Sequence, residues 1–240
     1  MLNQISQHVY VSPFDKDRDR PNIGYVKGEN FSVLIDTGNS PEHLQNVLAD
    51  IEKMGLEEPK LAIISHWHWD HTFGMTAFKG LTMAHEKTNA SLIKMSSWQW
   101  NQDAMEERLR SGKECQFCHD YIQVEYDDVS EIQVVPADIV YKGEMTLDLG
   151  NVHLSITPID NPHSDDGVVI LVEEDKVLFA GDADSGNFYE LDGGYRAEEF
   201  YQYIETVDKF PFDTYIHGHL EPMDRQELNA LRQAIIAEEL

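Results

Sequence analysis

The first third of the chain alternates short apolar runs with polar turns. The apolar runs are of strand length, and they predict short strands over residues 8–13, 23–26, 31–35 and 61–65. Between the third and fourth runs, apolar side chains recur at helical spacing from Pro41 to about Met54, and Gly55 ends the pattern. The pattern therefore predicts three strands, one helix and a fourth strand.

The rest of the chain repeats this order. Further strands are predicted over residues 81–84, 139–160 and 168–181, and further helices over residues 89–111, 197–209 and 224–239. Within residues 139–160 we expect paired strands with turns at Gly143 and at Gly150, and residues 168–181 read as a hairpin. Runs of strands followed by helices favour an α/β fold, an αββα sandwich of two mixed sheets with helices on both outer faces.

The length of 240 residues is that of one large domain, and no linker divides it, so we expect a single domain over residues 1–240. The longest apolar runs, such as Val168–Val172, fall far short of the ~18 residues that span a membrane. Residues 1–13 lack a basic region followed by an apolar one, which argues against a signal peptide. We therefore expect a cytoplasmic protein.

The charge balance is strongly acidic. The chain has 44 acidic residues against 18 lysines and arginines, a formal net charge of −26. Such a field repels phosphate backbones and anionic membrane surfaces. We therefore expect a small-molecule substrate, with no nucleic-acid partner and no membrane partner, while the oligomeric state is not predicted.

The densest chemical signal follows the apolar run of residues 61–64. It is the segment Ser65-His66-Trp67-His68-Trp69-Asp70-His71, and chance placement gives H-x-H-x-D-H in about one chain in 500. At the end of a strand, His66 and His68 leave on the same side, while Asp70 and His71 continue into the next turn. Imidazole and carboxylate ligands without thiolates are typical of catalytic zinc sites, which keep a water molecule. The segment predicts a catalytic site with ligands for two ions.

This segment resembles the signature of the metallo-β-lactamase superfamily. Three later segments are similar to further family motifs, in the family's order: Asn161–Gly167 with His163, Lys176–Asp182 with Asp182, and Tyr215–His219 with His219. His217 stands one place too early to fit the last motif. The resemblance covers roughly residues 5 to 220 and implies the αββα fold of that family.

The resemblance also implies roles for the matching residues. His66, His68 and His163 would hold one metal ion, Asp70, His71 and His219 a second, and Asp182 would bridge the two. It implies a binuclear zinc hydrolase, with iron or manganese as other metals, in which a metal-bound hydroxide cleaves an ester, thioester, lactone or lactam bond of a small molecule. Asp70 would also be catalytic, orienting the nucleophile or moving a proton, and no organic cofactor is implied.

Several alternatives stay open. The same family includes iron-dependent oxidoreductases similar to persulfide dioxygenases, and phosphodiesterases. A non-catalytic metal-binding module would need a protein ligand at the water position, and no motif supplies one. Asp36, after the strand ending at Ile35, matches a family position that orients a ligand, but a turn residue after a strand is an equally good interpretation.

Residues 95–138 carry no family motif, and we expect a family-variable insertion near the pocket, next to the Asp15–Arg20 loop. The alternating charges around Arg18 and Arg20 favour a solvated loop over a carboxylate anchor. The four tryptophans favour packing over pocket lining: Trp67, Trp69, Trp98 and Trp100. Cys115 and Cys118 match the C-x-x-C-H haem-attachment pattern without an export signal, and as a C-x-x-C redox pair they lack the preceding strand of thioredoxins. Two thiols in an exposed loop are the favoured interpretation.

Overall fold

The computed structural model describes residues 1–240 and contains two stacked β-sheets. The strands of the first sheet are β1 (Asn3–Gln4), β2 (Val9–Ser12), β3 (Ile23–Val26), β4 (Val33–Ile35), β5 (Leu61–Ile63), β6 (Leu81–His85) and β7 (Ile139–Tyr141). They lie side by side in chain order. The pairs from β1 to β4 are antiparallel, and those from β4 to β7 are parallel.

The second sheet contains the later strands. These are β8 (Met145–Asp148), β9 (His153–Pro158), β10 (Val168–Val172), β11 (Val177–Gly181), β12 (Thr214–His217) and β13 (Met223–Asp224). The order is β13-β12-β11-β10-β9-β8, and only the β11–β12 pair is parallel. Both sheets are therefore mixed, as the sequence predicted.

Helices cover the outer faces of both sheets. They are α1 (Pro41–Lys53), α2 (Trp69–Thr72), α3 (Glu86–Ser96), α4 (Gln102–Arg110), α5 (Gln116–Glu125), α6 (Phe188–Leu191), α7 (Ala197–Val207) and α8 (Arg225–Glu239), with 3₁₀ turns at Phe73–Ala77 and Val129–Glu131. Helix α1 packs on the first sheet, and α7 and α8 pack on the second. This is the αββα sandwich that the sequence pattern predicted, and no helix is both long and apolar enough to cross a bilayer.

The main core lies between the sheets. Its 19 buried residues come from both sheets, among them Ile35 and Ile63 from the first and Phe179 and Ile216 from the second. Alternate residues of each central strand face this core, because side chains alternate across a strand. Burying these faces against each other fixes the position of each sheet relative to the other.

Two predicted elements were wrong. The helix predicted over residues 89–111 is two helices, because Asn101 caps α4 by accepting from the amide of Ala104 at 3.0 Å, and the buried Trp100 turns inward against Phe73. The turn at Gly143 does not join paired strands. Residues 139–141 pair with β6 in the first sheet, and Gly143, with a φ of 70°, lies where the chain crosses to the second sheet.

Candidate metal centre

One rim of the sandwich gathers the ends of strands from both sheets. The H-x-H-x-D-H segment follows the carboxyl end of β5, and α2 begins within it. His163 follows β9, Asp182 follows β11, and His219 follows β12. Strands that end at a common rim bring together side chains that are far apart in the sequence. The fold therefore gives the four sequence motifs one place to meet.

The seven predicted ligands do meet there, and together they form what we name the metal cluster. Their potential ligand atoms fall into two groups, and within each group they lie within 4.8 Å of one another. One group is His66, His68 and His163, and the other is Asp70, His71, Asp182 and His219. The division matches the one that the resemblance implied, with Asp182 in the second group.

In three imidazoles of the cluster, the Nδ1 atom contacts a polar group that fixes the ring orientation. The Nδ1 atom of His163 donates to the carbonyl of Gly186 at 2.8 Å, and that of His66 lies 3.1 Å from the hydroxyl of Ser65. The Nδ1 atom of His71 lies 2.7 Å from a carboxylate oxygen of Asp36. The opposite Nε2 atoms of all three rings are buried; those of His66 and His163 have no hydrogen-bond partner, and that of His71 faces the carboxylates of Asp70 and Asp182. A divalent cation such as zinc fits such a donor set, because a second contact commonly fixes the ring of a metal-bound histidine.

Asp36 combines the two interpretations left open by the sequence. Its backbone is in the left-handed region with a φ of 65°, as in a turn. Its carboxylate accepts from the amide of Ser65 at 2.7 Å and from the Ser65 hydroxyl at 2.8 Å, besides its contact with His71. Asp36 therefore fixes both the start of the H-x-H-x-D-H segment and the orientation of one imidazole.

Asp182 lies between the two groups. Its Oδ2 atom is 3.3 Å from Nε2 of His219 and 3.9 Å from Nε2 of His163, and its Oδ1 atom is 3.5 Å from Nε2 of His71. One carboxylate thus reaches imidazoles of both groups. This placement suits a residue that bridges two cations.

Burial and charge divide the imidazoles into two kinds. Burial lowers the pKa of His66, His68 and His163, so these rings are neutral, which is the form that binds metal. Burial also opposes charge on His71 and His219, but the surrounding carboxylates outweigh it and raise the pKa of both. In the chain alone these two rings are protonated, so a bound cation would take the place of their protons.

The carboxylates respond in the opposite direction. Burial alone would raise the pKa of Asp70 and of Asp182, but His71 and His219 hold both values well below the usual range. The Oδ2 atom of Asp70 lies 3.0 Å from Nε2 of His219 and 3.1 Å from Nε2 of His71. Both acids are therefore ionised and can bind a cation or accept a proton.

His217 lies outside both groups. Its Nε2 atom is 3.0 Å from the hydroxyl of Ser185 and 3.3 Å from a carboxylate oxygen of Asp184. Its Nδ1 atom accepts from the backbone amide of His219 at 2.8 Å. His217 therefore stabilises the turn that carries His219.

Two cavities open beside the cluster. The first, named here the aromatic cavity, has a volume of about 300 Å³, contacts Asp70, Asp182 and His219, and is walled by Trp69, Phe117, Cys118, Tyr121 and Phe188. The second, named the polar cavity, has a volume of about 490 Å³ and includes Trp67, Lys87, Asn161, Tyr189 and Arg196. His68 and His163 contribute to both. A substrate with two chemically different ends can therefore reach the cluster from two sides.

The segment 95–138 does reach the pocket, since Phe117, Cys118 and Tyr121 belong to it. Two expectations about this part of the structure were wrong. Cys115 and Cys118 are not exposed thiols, because they are bonded to each other at the start of α5 and are about 9% and 5% exposed. Arg20 is not solvated either. It lies 2.7 Å from Glu125, whose side chain is about 1% exposed and also contacts Arg18.

The four tryptophans mostly pack, as expected. Trp69 and Trp100 are buried against Phe73, and Trp98 and Trp100 stack on the guanidinium of Arg108. Trp67 is half-buried, packs on Tyr189 and lines the polar cavity, while the buried Trp69 also lines the aromatic cavity. Packing and pocket lining are thus combined at these two positions.

Sequence reasoning missed three residues near the cluster. Asp19 has a carboxylate oxygen 3.6 Å from Nδ1 of His219. Burial and the nearby Asp70 carboxylate raise the pKa of Asp19 to about 7. Tyr189 has its ring 5.2 Å from that of His68, and Phe188 lines the aromatic cavity. The loop of alternating charges that contains Asp19 was a visible signal, but Phe188 and Tyr189 stand in no recognisable pattern.

Comparison with known proteins supports the family assignment. The profile of the metallo-beta-lactamase superfamily matches residues 17–219. The acyl-coenzyme A thioesterase MBLAC2 of Homo sapiens is 22% identical over 241 residues, which cover 93% of this chain and 81% of the relative. The protein of the same name from Gallus gallus is 26% identical over 180 residues, covering 70% of this chain and 59% of its own.

Solved structures agree on the fold. A metallo-beta-lactamase from Pontibacter korlensis superposes with a TM-score of 0.72 at 17% identity, covering 99% of each chain. One from Hirschia baltica gives a TM-score of 0.65 at 17% identity, covering 97% of this chain and 96% of its own. With a profile match over most of its length, four motifs in order and this fold, the chain belongs to the metallo-beta-lactamase superfamily.

Proposed function

We propose that this protein is a metal-dependent hydrolase that cleaves the thioester bond of a small molecule, using two divalent cations for which zinc is the preferred identity. The observation that carries the proposal is the pairing of two ligand groups with Asp182 between them, at a point where two cavities meet. Seven candidate ligands exceed what one tetrahedral ion accepts. The name of the thioesterase relatives supports the substrate class.

The ligand assignment follows the geometry. The neutral imidazoles of the first group suit one cation, while Asp70, His71 and His219 suit a second, with Asp182 shared. Cations bound there would polarise a carbonyl oxygen and would lower the pKa of water toward neutrality. The Asp36 carboxylate behind His71 keeps that ring in the orientation that presents its Nε2 atom to the cluster.

Asp70 is the proposed proton acceptor. Its Oδ2 atom lies 3.0 Å from Nε2 of His219, and the residue lines the aromatic cavity. A carboxylate in this position can orient a water molecule and receive its proton. A thiol leaving group has a pKa of about 8.5 and departs without strong acid assistance. Cleavage of a thioester therefore needs less proton donation to the leaving group than cleavage of an amide.

The two cavities suggest how a thioester is oriented. The aromatic cavity, walled by Phe117, Tyr121 and Phe188, suits an apolar acyl group. The polar cavity on the other side of His68 and His163 suits the hydrogen-bonding part of the thiol half. The scissile carbonyl would then lie between them, at the metal cluster.

The experiment combines metal analysis with a substrate panel. The protein is purified without added metal, its metal content is measured, and hydrolysis is assayed on acyl thioesters, an oxygen ester, a lactone and a β-lactam. We expect two cations per chain and the highest kcat/KM on a thioester. One iron and no zinc, with no hydrolysis of any compound, would instead favour the iron-dependent oxidoreductases of the same fold.

Two variants and a matched control sharpen the test. Asp182→Asn and His219→Ala should each reduce metal content and lower kcat by orders of magnitude, because each removes a proposed ligand. His217→Ala, two residues away on the same turn, should keep its metal and lose mainly stability. Loss of metal in His217→Ala with retention in His219→Ala would show that the last motif is misaligned.

The nuclease and phosphodiesterase alternatives predict a different partner. A polyanion requires clustered lysine and arginine, and this chain has a formal charge of −26. Arg20, in the most basic stretch, is already occupied by Glu125. We expect no RNA or DNA binding at physiological salt, and salt-sensitive binding with metal-dependent cleavage would contradict the thioesterase proposal.

A further inference from the structure

A second cluster of reactive side chains lies apart from the seven ligands. The potential ligand atoms of Glu114, Cys115 and Cys118 lie within 4.8 Å of one another. The two cysteines are bonded, with a Cα–Cα distance of 5.4 Å, which lies within the usual range for disulfides. The chain has only these two cysteines, so this is its one dithiol.

The cysteine pair is part of the wall of the aromatic cavity. Cys118 lines that cavity together with Asp70, Asp182 and His219. Phe117 stands between the two cysteines, and its ring lies 4.7 Å from Phe188 and 4.6 Å from Tyr121, both of which line the same cavity. A small molecule that reaches the metal cluster through this cavity therefore also reaches Cys118, one of the two bonded cysteines.

The local structure favours the thiolate form that thiol–disulfide exchange requires. Cys115 caps α5, and its sulfur accepts from the backbone amide of Cys118 at 3.1 Å. Peptide amides at a helix start stabilise a negative charge on sulfur. A thiolate released by cleavage of this disulfide is therefore a good leaving group.

Glu114 provides a buried proton site beside the pair. It is about 6% exposed, and burial raises its pKa. Its carboxyl accepts from the hydroxyl of Tyr189 at 2.8 Å and from the amide of Cys115 at 3.3 Å. The ring of Tyr189 in turn lies 5.2 Å from that of His68. A line of contacts thus connects the cysteine pair to the metal cluster.

We propose that Cys115 and Cys118 form a thiol–disulfide exchange site for small-molecule thiols, and that its redox state changes the wall of the aromatic cavity beside the metal cluster. The pair, Glu114 and the shared cavity carry this inference together.

The exchange is balanced as follows. A first thiol loses its proton to solvent, and its thiolate attacks one sulfur of the pair, so that the S–S bond breaks, a mixed disulfide forms and the other sulfur leaves as a thiolate that takes a proton from Glu114. A second thiolate, formed in the same way, attacks the small-molecule sulfur of the mixed disulfide, which releases the oxidised small molecule and leaves the second cysteine as a thiolate. Of the two protons given up by the two thiols, one returns to Glu114 and one protonates the second cysteine. Two thiols thus give two electrons and two protons to the pair.

Reduction would act on the cavity through Phe117. The disulfide ties the residue before α5 to its first turn, and cleavage lets the two sulfurs move apart to van der Waals distance. Phe117 lies within that tied segment and packs on Phe188 across the cavity wall. We therefore expect the two redox forms to differ in hydrolysis rate by about threefold or more, by displacement of reacting groups. This expectation about rate, unlike the exchange itself, rests on the proposed function.

The test uses the whole metal-loaded protein in a series of reduced and oxidised glutathione mixtures. Free cysteines are alkylated and counted by intact mass at each mixture. We expect the count to pass from zero to two across the series in folded protein. A pair that is reduced only after unfolding, or that stays reduced in fully oxidised glutathione, would overturn the proposal. Because this readout needs no substrate, it stands or falls separately from the thioesterase proposal.

Two controls assign the effect. Glu114→Gln keeps an acceptor for Tyr189 but loses the carboxyl proton, so we expect the rate of exchange to fall about fivefold or more. Glu106→Gln, at an exposed position of α4, should leave the rate of exchange unchanged. The double variant Cys115→Ser/Cys118→Ser should have a rate of hydrolysis that no longer depends on the glutathione mixture.

Two results would overturn the coupling to the cavity. An equal response of the wild type and the double variant would show that glutathione acts on the metal cluster directly. One additional zinc ion in the reduced wild type, absent from the double variant, would show that Glu114 and the cysteines form a metal site instead.

Discussion

Gly218 packs against the carboxylate of Asp182, and a Cβ atom at Gly218 would lie 2.0 Å from Asp182 Oδ1 and 3.0 Å from the ring of His71. Glycine is therefore required here by close approach. A left-handed backbone is not the reason, because the φ of Gly218 is not positive, whereas that of Gly181 is 54°.

Gly218→Ala should therefore displace Asp182 or His219 and leave the fold intact. We expect loss of metal and a fall in kcat of about 100-fold, as expected when a reacting group moves by about 1 Å. Metal analysis and circular dichroism measure the two effects. Gly143→Ala is the control: its φ of 70° also strains an alanine, but a Cβ there meets nothing within 4 Å, so it should lose some stability and keep full metal content. Normal metal content in Gly218→Ala would show that the cluster tolerates the displacement.

Asp36→Asn should weaken metal binding without removing any ligand. The substitution removes the charge behind Nδ1 of His71 and one of the acceptors used by Ser65. Loss of such an orienting contact typically lowers metal affinity by about 10- to 100-fold. Competition with a chelator measures the affinity. Asp213→Asn, an exposed carboxylate paired only with Lys176, serves as control, and an equal affinity in both variants would remove Asp36 from the site.

Glu125→Ala should destabilise the fold. It leaves the guanidinium of Arg20, whose side chain is about 13% exposed, without its closest partner, and it also removes the partner of Ser40 at the start of α1. Breaking a buried ion pair in this way costs about 3 kcal/mol or more. Denaturant unfolding measures the loss. Glu42→Ala removes the exposed partner of the same arginine and should cost less than about 1 kcal/mol. Equal losses would mean that the pair is not effectively buried.

Asp166→Asn should change how stability depends on pH. Burial raises the pKa of Asp166 from 3.8 to about 6, and its carboxylate accepts from the amide of Trp67 at 2.9 Å. Between pH 4 and 6 the folded state binds more protons at this group than the unfolded state, so its contribution to stability falls as the pH rises. The difference across this window is of the order of 3 kcal/mol.

The asparagine variant lacks this titration, so its stability relative to the wild type should increase from pH 4 to pH 6. Urea unfolding of both proteins at several pH values measures the difference in free energy of unfolding. Titrating groups that both proteins share contribute equally and cancel in this difference. A constant difference across the window would show that Asp166 is not the titrating group.

The sequence was most informative where chemistry is local. His66, His68, Asp70 and His71 are neighbours in the chain, so the order of residue types alone indicated a metal site. The strand pattern likewise predicted the sandwich, because the core strands are short apolar runs, such as Val168–Val172, bounded by polar turns. His163, Asp182 and His219 were placed by family motifs, and the structure brings them to the same rim.

What the sequence could not show depends on contacts between distant segments. The pairing of residues 139–141 with β6 depends on which sheet has a free edge, and a local turn signal at Gly143 does not report that. The burial of Cys115 and Cys118 depends on packing against residues of the H-x-H-x-D-H segment and its neighbours. The ion pair between Glu125 and Arg20 could not be predicted from the sequence, because the two residues are more than a hundred positions apart.

Because the metal cluster lies at the rim, the distances between its side chains depend on how the two sheets pack on each other. His66, His68, Asp70 and His71 follow a strand of the first sheet, whereas His163, Asp182 and His219 follow strands of the second. The two sheets share no ladder, and only single backbone hydrogen bonds link them at the rim, from the amide of Val168 to the carbonyl of Ser65 at 2.9 Å and from the amide of Asn22 to the carbonyl of Gly218 at 2.6 Å. Their relative position therefore rests largely on side chains packed between them, such as Ile63 and Phe179. Replacement of a core residue far from any ligand can therefore slide one half of the site against the other. The affinity of the proposed metal site would, in that sense, be a property of the interior as much as of the rim.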